Sequence, residues 1–490
     1  MTILALILLS ILSGVLPFFA RRFETVTALA LLGSSGVAAL SAVVGMPALL
    51  GASALSGGGL WYVDPFGGLL VLLIGFMQWT ATMASVPYLG EEVRKGITSL
   101  ARTKRYFALL ALFVLSMLVT VVSNNLGFMW VALEATTLTT TLLVAFYDRK
   151  GSVEAAWKCL ILCSTGISLG LIGLLMTYYA ASSVMAGGAT LDWTTLAASA
   201  HAFPASIMRI AFAFILIGFG TKAGLVPMHA WLPDAHSSAP SPVSGLLSGV
   251  LLNAALFAVL RYKALADLSA GGSGWTNGLL LGFGVLTVAV PAAFIIFQAD
   301  YKRLLAYSSV EHMGLITFST GLGVAGPLIA VIHIIGHALT KSMLFIGAGN
   351  ILHRYESTKF ANVGAVMRVL PYTGAFFLAG ILLLLAAPLS PLFVSEYFIV
   401  SAAVATHPLY TLIILFALSV IFAGFLHLFA PLLFTAPSRG AEALAEKTGE
   451  RWNISHTAML LHIVLLLAFG AFLLTGAAYP LLEHVAASIT

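Results

Sequence analysis

The protein is a chain of 490 residues, of which 60% are hydrophobic and 8% are charged, and its formal net charge is +5 at pH 7. Soluble globular proteins carry roughly 25% charged residues, so this composition excludes a soluble protein. The positive charges lie in short loops, where they indicate orientation in a membrane and not binding to nucleic acid.

Fourteen apolar segments follow one another along the chain, and each is about long enough to cross a bilayer as a helix. We therefore predict an all-α polytopic membrane protein whose residues 1–490 form a single transmembrane domain in the lipid bilayer. The polar stretch 435–455 is predicted to be a surface helix. The predicted spans are residues 2–19, 26–46, 66–89, 106–123, 126–147, 157–180, 207–231, 242–264, 277–298, 302–320, 325–350, 371–399, 408–433 and 456–478.

Lysine and arginine are distributed unequally between the two sides of these spans. Of the 23 such residues, 17 fall in odd-numbered loops, 3 fall in even-numbered loops and 3 lie inside spans. Positive residues remain in the cytoplasm when a membrane protein inserts. The pattern therefore predicts a multi-pass protein of the cell inner (cytoplasmic) membrane, with both termini outside.

The fifth predicted span carries a glutamate, Glu134, near its middle. A charge at the centre of a membrane helix costs roughly 2.5–3.5 kcal/mol unless the group is protonated, paired or hydrated. Lys222 of the seventh span is a candidate partner, and the titrations of such a pair are strongly coupled. Two interpretations stay open: a group that captures and releases protons, and a structural ion pair.

Two cysteines, Cys159 and Cys163, lie one helical turn apart in the sixth span. Two thiols neither complete a zinc site nor hold an iron–sulfur cluster, which takes four ligands. We expect them to pack in the core, and we expect no metal and no redox cofactor in this chain.

The seventh span runs into a polar stretch, Gly220–Ser241, which contains Lys222 and His229 and is interrupted at Pro227. Backbone groups at membrane depth need hydrogen-bond partners, so a broken helix there must face protein or water. Broken helices of this kind mark ion and substrate sites in transporters. The alternative is a helix end followed by an ordinary loop.

The twelfth span is interrupted in the same way, near Pro388 and Pro391, and it carries Glu396. The two breaks are five spans apart, and an odd number of spans relates two halves of opposite orientation. The pattern thus predicts an inverted internal repeat, the sequence feature that points to a transport site. Chance is the alternative, because only two proline breaks are matched.

The tenth span begins with Lys302 and carries Glu311 and His312 two to three turns deeper. Lys302 could extend its ammonium group to the membrane surface along an apolar stem. Glu311 and His312 are better placed for function.

The eleventh span presents His333, His337 and Lys341 at intervals of four residues, which places them on one helical face. Two histidines one turn apart could bind a metal or haem, but a lysine on the same face would repel a metal. A proton relay is the favoured interpretation because histidine titrates near neutral pH, and buried structural histidines are the alternative.

Two motifs carry a family resemblance: G-L-V-P-M-H-A-W-L-P-D-A-H-S-S-A-P-S-P-V-S and D-Y-K-R-L-L-A-Y-S-S-V-E-H-M-G. Both resemble the signatures of the antiporter-like subunits of respiratory complex I and its relatives. Two further motifs, L-L-N-A-A-L-F-A-V-L-R-Y and V-A-L-E-A-T-T-L-T-T-T-L-L-V-A-F-Y, are most similar to the hydrogenase-4 component F branch. That branch belongs to membrane-bound nickel–iron hydrogenase and formate hydrogenlyase complexes.

The resemblance implies fourteen helices in two inverted five-helix repeats, residues 106–264 (helices 4–8) and 277–433 (helices 9–13), with helices 7 and 12 broken. It further implies that Glu134 pairs with Lys222 in one half-channel. The other family positions are matched by Lys302, His333, His337, Lys341 and Glu396. One position departs from the complex I pattern: their eighth-helix lysine is replaced here by Asn253, which cannot titrate.

The leading hypothesis is a proton-translocating membrane subunit of a larger redox complex, and the subunit itself carries no redox cofactor. Its expected partners are further antiporter-like and other membrane subunits and a peripheral hydrogenase or dehydrogenase arm. One alternative is a cofactor-binding electron-transfer subunit, although the sequence lacks matching histidine pairs and cysteine clusters. The other is a stand-alone Na⁺/H⁺ secondary antiporter.

Overall fold

The computed structural model describes residues 1–52, 54–185, 188–435 and 449–489. Most of the surface helix predicted at 435–455 lies outside these residues. The helices of the first half are α1 (Thr2–Val15), α2 (Phe23–Leu49), α3 (Pro65–Arg94), α4 (Leu100–Val122), α5 (Leu126–Val144), α6 (Lys150–Ser182), α7 (Trp193–Ser199), α8 (Ala205–Ala223), α9 (Trp231–Ser238) and α10 (Ser241–Leu246).

The helices of the second half are α11 (Leu252–Ala270), α12 (Gly274–Ile295), α13 (Tyr301–Thr320), α14 (Gly326–Tyr355), α15 (Val366–Val369), α16 (Pro371–Leu384), α17 (Pro391–Ala403), α18 (Pro408–Phe434), α19 (Ile454–Leu474) and α20 (Tyr479–Ala487). Two short strands, β1 (Ala54–Ser56) and β2 (Trp61–Val63), form an antiparallel hairpin between α2 and α3.

Twelve segments of the described chain are long and apolar enough to cross a membrane. The two remaining predicted spans are α13, which carries several polar residues, and the twelfth, which is divided between α16 and α17. The prediction of an all-α polytopic protein with about fourteen spans is therefore confirmed.

The seventh span is broken between α8 and α9. Gly224, with a φ of 79°, ends α8 in the left-handed conformation that glycine adopts without steric cost. A 3₁₀ turn, Met228–Ala230, then leads into α9. The predicted break is confirmed, but the span continues beyond its predicted end at residue 231. Pro233 does not stop it, because the first turn of a helix needs no backbone N–H donors.

The twelfth span is broken between Leu384 and Pro391. Ser390 caps the second half, since its hydroxyl oxygen accepts a hydrogen bond from the backbone N–H of Leu392 at 3.1 Å. Pro391 occupies the first helical position, where its fixed φ suits the helix and its missing N–H has no cost. This break is also confirmed.

The eighth and eleventh spans form the centre of the bundle. Their most apolar windows are 100% and 94% buried, whereas the corresponding windows of the first and thirteenth spans are 33% buried. The outer helices therefore present apolar side chains to lipid. Polar residues on the eighth and eleventh spans face protein, as membrane burial of charge requires.

The eighth span contains a widened turn, the π-helical segment Leu247–Leu251, between α10 and α11. The Ser248 hydroxyl hydrogen-bonds that of Ser309 on α13 at 2.7 Å. Two consecutive carbonyls of the segment accept hydrogen bonds from side chains: Ser248 O from His337 Nε2 at 3.3 Å and Gly249 O from Asn253 Nδ2 at 2.8 Å. Such turns occur frequently at functional sites.

A buried ion pair joins the start of α3 to α11. Arg261 Nη1 lies 2.5 Å from Asp64 Oδ2, and the two side chains are 6% and 3% exposed. The other Asp64 oxygen accepts from the backbone N–H of Gly67 and so caps α3. The guanidinium lies 4.3 Å from the ring centre of Trp193 and 4.4 Å from that of Phe257.

A second carboxylate, that of Glu450, holds the start of α16 against α19. It accepts hydrogen bonds from the backbone N–H groups of Tyr372 and Thr373 at 2.6 and 3.1 Å, and it contacts His456 Nε2 at 2.8 Å. Burial alone would raise the pKa of Glu450, but the hydrogen bonds from His456 and Thr373 outweigh it and the pKa lies below its usual value.

Candidate ion-translocation site

Three predicted residues of α14 point into the protein and meet α13. His333, His337 and Lys341 are fully buried, as their four-residue spacing predicts for the inner face of one helix. His333 Nε2 lies 2.9 Å from His312 Nδ1 on α13, and the His312 ring centre is 5.1 Å from that of His337. The structure therefore brings the predicted histidines of the tenth and eleventh spans together.

The chain of hydrogen bonds continues from His333 to α17, and Lys341 bonds separately to α13. His333 Nδ1 lies 2.9 Å from the Ser395 hydroxyl on α17, next to the second helix break. Lys341 Nζ donates to the Leu305 carbonyl at 2.9 Å and to the Ser308 hydroxyl, both on α13. Each imidazole nitrogen in such a chain can serve as donor or acceptor, depending on the tautomer.

Glu311 and Glu396 line one cavity of about 300 Å³, together with Ser308 and His312. Glu311 is 2% exposed, and its Oε2 lies 3.5 Å from His312 Nε2. Glu396 forms no ion pair with Lys341 or His337 among the described residues. It lies on the cavity side of α17, where the second carboxylate is that of Glu311.

The first half of the protein holds a second group, around Glu134 and Lys222. Glu134 Oε1 accepts a hydrogen bond from Ser164 on α6 at 2.6 Å. Lys222 Nζ, fully buried on α8, donates to the Thr137 hydroxyl on α5 at 3.1 Å. The direct ion pair that the resemblance implies is not formed in this structure: within the described chain, Glu134 and Lys222 are not within 4 Å of each other as an ion pair. The hydroxyl of Thr137, one turn along α5 from Glu134, accepts the hydrogen bond from Lys222 instead.

Lys302 does not extend to the membrane surface. It is 2% exposed, and its Nζ donates to the carbonyl of Ala239, the residue that ends α9, at 2.6 Å. The next residue, Arg303, binds Asp234 of α9 at 2.7 Å, and Lys158 of α6 binds the same carboxylate at 3.1 Å. Three cations thus hold the second half of the broken helix between α6 and α13.

Two predicted positions remain apart from these groups. His229 lies half-buried in the 3₁₀ turn, and no hydrogen bond of the described chain joins it to another predicted residue. Asn253 is fully buried on α11, and its amide donates a hydrogen bond to the Gly249 carbonyl of the same span. The described residues contain no cluster of three His, Cys, Asp or Glu that could hold a metal ion.

Two hydroxyl partners of these residues, Ser308 and Ser395, and the carboxylate of Asp234 were not predicted as parts of the site. Ser308 lies three residues before Glu311, and Ser395 lies directly before Glu396. Residues at three-residue spacing share a helix face, so a search for hydroxyls beside each candidate would have found Ser308. Asp234 has no such signal, because its partners come from distant helices.

Buried lysines, histidines and carboxylates that converge beside two broken helices define an ion-translocating membrane protein. Residues 123–422 match the family described as NADH:quinone oxidoreductase/Mrp antiporter, TM. The chain belongs to this family and is an antiporter-like membrane subunit, so the family resemblance is confirmed.

Similar proteins agree with this assignment. A hydrogenase-4 component F homolog of Methylacidiphilum infernorum (isolate V4) is 38% identical over 355 residues, which cover 72% of this chain and 74% of that protein. The fold matches a chain of the membrane-bound sulfane sulfur reductase, an archaeal respiratory membrane complex, with a TM-score of 0.84 at 23% identity, covering 99% of this chain and 96% of that one. It also matches a chain of the Mrp complex from Dietzia sp. DQ12-45-1b, with a TM-score of 0.83 at 18% identity and the same coverage.

Proposed function

We propose that the chain translocates protons as one membrane subunit of a multi-subunit redox complex of the hydrogenase or complex I type. Its partners are other membrane subunits, further antiporter-like subunits among them, and a peripheral hydrogenase or dehydrogenase arm. It lies in the inner membrane with both termini outside. Residues 106–264 and 277–433 act as two inverted units, each containing one broken helix.

The observation that carries this proposal is the hydrogen-bonded chain Ser395–His333–His312, with His337 and Lys341 beside it. Imidazole transfers protons by accepting at one nitrogen and donating from the other, and it does so near neutral pH. Every member of the chain is buried, so a proton on it is separated from bulk water. These are the requirements of a relay inside a membrane.

Glu134 provides the test of the other half of the site. Glu134→Gln keeps the side-chain shape and the hydrogen bond from Ser164 but removes the titratable group. Proton translocation per redox turnover, measured in vesicles that contain the assembled complex, should fall sharply while assembly is unchanged. Glu154→Gln is the matched control, because Glu154 is an exposed glutamate of α6 that pairs with Lys158 at 2.8 Å. Normal pumping by Glu134→Gln would make Glu134 structural.

A cation/proton antiporter is the second candidate, and the Mrp-type fold is the observation that favours it. The purified chain alone, in vesicles with a sodium gradient and an internal pH dye, distinguishes the two functions. Sodium-dependent proton movement by the isolated chain would favour the antiporter. Proton movement only in the assembled complex, driven by redox turnover, would favour the proposed subunit.

A further inference from the structure

A buried polar cluster outside the site lies at the end of α3: Glu92, Tyr88, Tyr147 and His353, here called the Glu92 cluster. The Glu92 side chain is 5% exposed, and its Oε1 accepts a hydrogen bond from the Tyr147 hydroxyl at 2.6 Å. The Tyr147 hydroxyl lies 2.7 Å from that of Tyr88. The His353 ring packs on Tyr88 at 4.1 Å between centres, and its Nε2 is 3.7 Å from Glu92 Oε1.

On one side, the cluster adjoins a charged and exposed surface. The end of α3 around Glu92 carries three more charged residues, Glu91, Arg94 and Lys95. Arg94 lies 2.5 Å from Glu91, and 75% of the Arg94 side chain is exposed. Lys95 reaches across to Glu356 beyond the end of α14 at 2.6 Å. This surface belongs to an odd-numbered loop, which the charge distribution predicts to be cytoplasmic.

On the other side, the cluster leads towards Lys302. Tyr88 and Ser241 approach α14 at the same place, since a Cβ added to Gly349 would lie 3.2 Å from the Tyr88 ring and 2.8 Å from Ser241 Cβ. Ser241 begins α10, two residues after Ala239, whose carbonyl accepts from Lys302. The Glu92 carboxylate acts electrostatically on Lys302. The cluster therefore lies between the charged surface and the buried lysine.

A purely structural role leaves part of this cluster unexplained. Three buried atoms have no hydrogen-bond partner within the described chain. Two belong to the cluster, Glu92 Oε2 and His353 Nε2, and the third is the adjacent Ser241 Oγ. A buried polar atom without a partner costs free energy, so each calls for an explanation. Proton exchange during the translocation cycle is such an explanation, because a group that gains and loses a proton has different hydrogen-bond partners in its two protonation states.

We propose that Glu92 is a proton-entry residue for Lys302, an inference that rests on the proposed function. A proton from the charged surface neutralises the Glu92 carboxylate. Tyr147 accepts that proton and releases its own to Tyr88. Tyr88 in turn releases its hydroxyl proton to the Ser241 hydroxyl, which passes its own proton to a neutral Lys302 amine. Only O–H and N–H bonds form and break, and no electron moves. The titratable groups that act on Glu92 come from four other elements: Tyr147 after α5, His353 on α14, Tyr106 on α4 and Lys302 on α13.

Two variants test this assignment in the assembled complex. Glu92→Gln retains an oxygen that accepts from Tyr147 but cannot be protonated, and Tyr88→Phe interrupts the hydroxyl chain while it keeps the ring packed on His353. Each should lower the rate of proton translocation on the order of 100-fold. Glu92→Asp should restore most of the rate with a shifted pH profile, which a structural role would not produce. Glu24→Gln, an exposed glutamate of α2 outside this cluster and its surface, is the control.

Assembly of the complex and proton translocation are measured together. A wild-type rate and pH profile in both Glu92→Gln and Tyr88→Phe would overturn the inference. Should Glu92→Gln fail to assemble, Tyr88→Phe decides alone. The wild-type complex is measured alongside: if it translocates no protons during redox turnover, the proposed function fails, whereas normal pumping by the Glu92 and Tyr88 variants removes only the entry route.

Discussion

The buried pair of Asp64 and Arg261 allows a stability prediction with a worked magnitude. Asp64→Asn keeps the cap on α3, because the amide oxygen still accepts from Gly67, but it leaves a buried guanidinium without a counter-charge. Removing one partner of a buried pair costs about 3–5 kcal/mol. The rings of Trp193 and Phe257 still stabilise the cation by about 1–2 kcal/mol. We therefore expect a loss near the lower end, about 3 kcal/mol.

A double variant separates charge from packing. Asp64→Asn combined with Arg261→Met removes the unpaired cation and keeps an unbranched stem against the two rings. Replacement of both partners of a buried pair is often nearly neutral, so the double variant should be more stable than Asp64→Asn alone. Thermal unfolding of the detergent-solubilised protein at one scan rate measures the order of the three proteins. If the double variant unfolds at or below the temperature of Asp64→Asn, the uncompensated charge is not the cause and the reasoning is refuted.

Three further predictions concern the site, the orientation and the pH dependence of stability. Lys222→Met removes the buried ammonium group that donates to Thr137, one turn from Glu134 on α5. The carboxyl infrared band of Glu134 should therefore change; an unchanged band would mean that the two residues do not interact. A single new cysteine at Arg105 should react with a membrane-impermeant thiol reagent only from the cytoplasmic face, and labelling of intact cells from outside would reverse the predicted orientation. The lowered pKa of Glu450 contributes stability above the ordinary carboxyl pKa, and this contribution is lost as the pH falls through the lowered value. Glu450→Gln should therefore unfold below the wild-type temperature at pH 7 and close to it in acid, while an equal difference at both pH values would contradict the assignment.

The parts of the fold that follow from local chemistry could be predicted from the sequence. The break after α8 follows from glycine and proline, and the buried face of α14 follows from the helical period. The partners of Lys222 and Lys302 could not be predicted in this way. A lysine stem reaches several acceptors, and the relative positions of α5, α8, α9 and α13 decide between Thr137, Glu134 and the Ala239 carbonyl.

The same limit explains one residue whose position the sequence left open and one that sequence reasoning missed. Lys302 begins its span, a position typical of surface lysines, and only the end of α9 packed beside it buries the ammonium group. Glu92 lies in a run of charged residues, E-E-V-R-K, in which one glutamate turns inward and its neighbours face outward. Helical period alone does not tell which side of a helix end is covered by other helices.

The π-helical segment Leu247–Leu251 is equivalent to one residue inserted into an α-helix. Deleting one residue from it would restore an ordinary helix, and the faces of α10 and α11 would keep their directions, so Arg261 would still reach Asp64. A deletion elsewhere in the span would turn one half by about 100° relative to the other. The extra residue is therefore unnecessary for crossing the membrane. Within the segment, the Ser248 and Gly249 carbonyls accept hydrogen bonds from His337 and Asn253, so the extra residue lies where the span meets the polar interior.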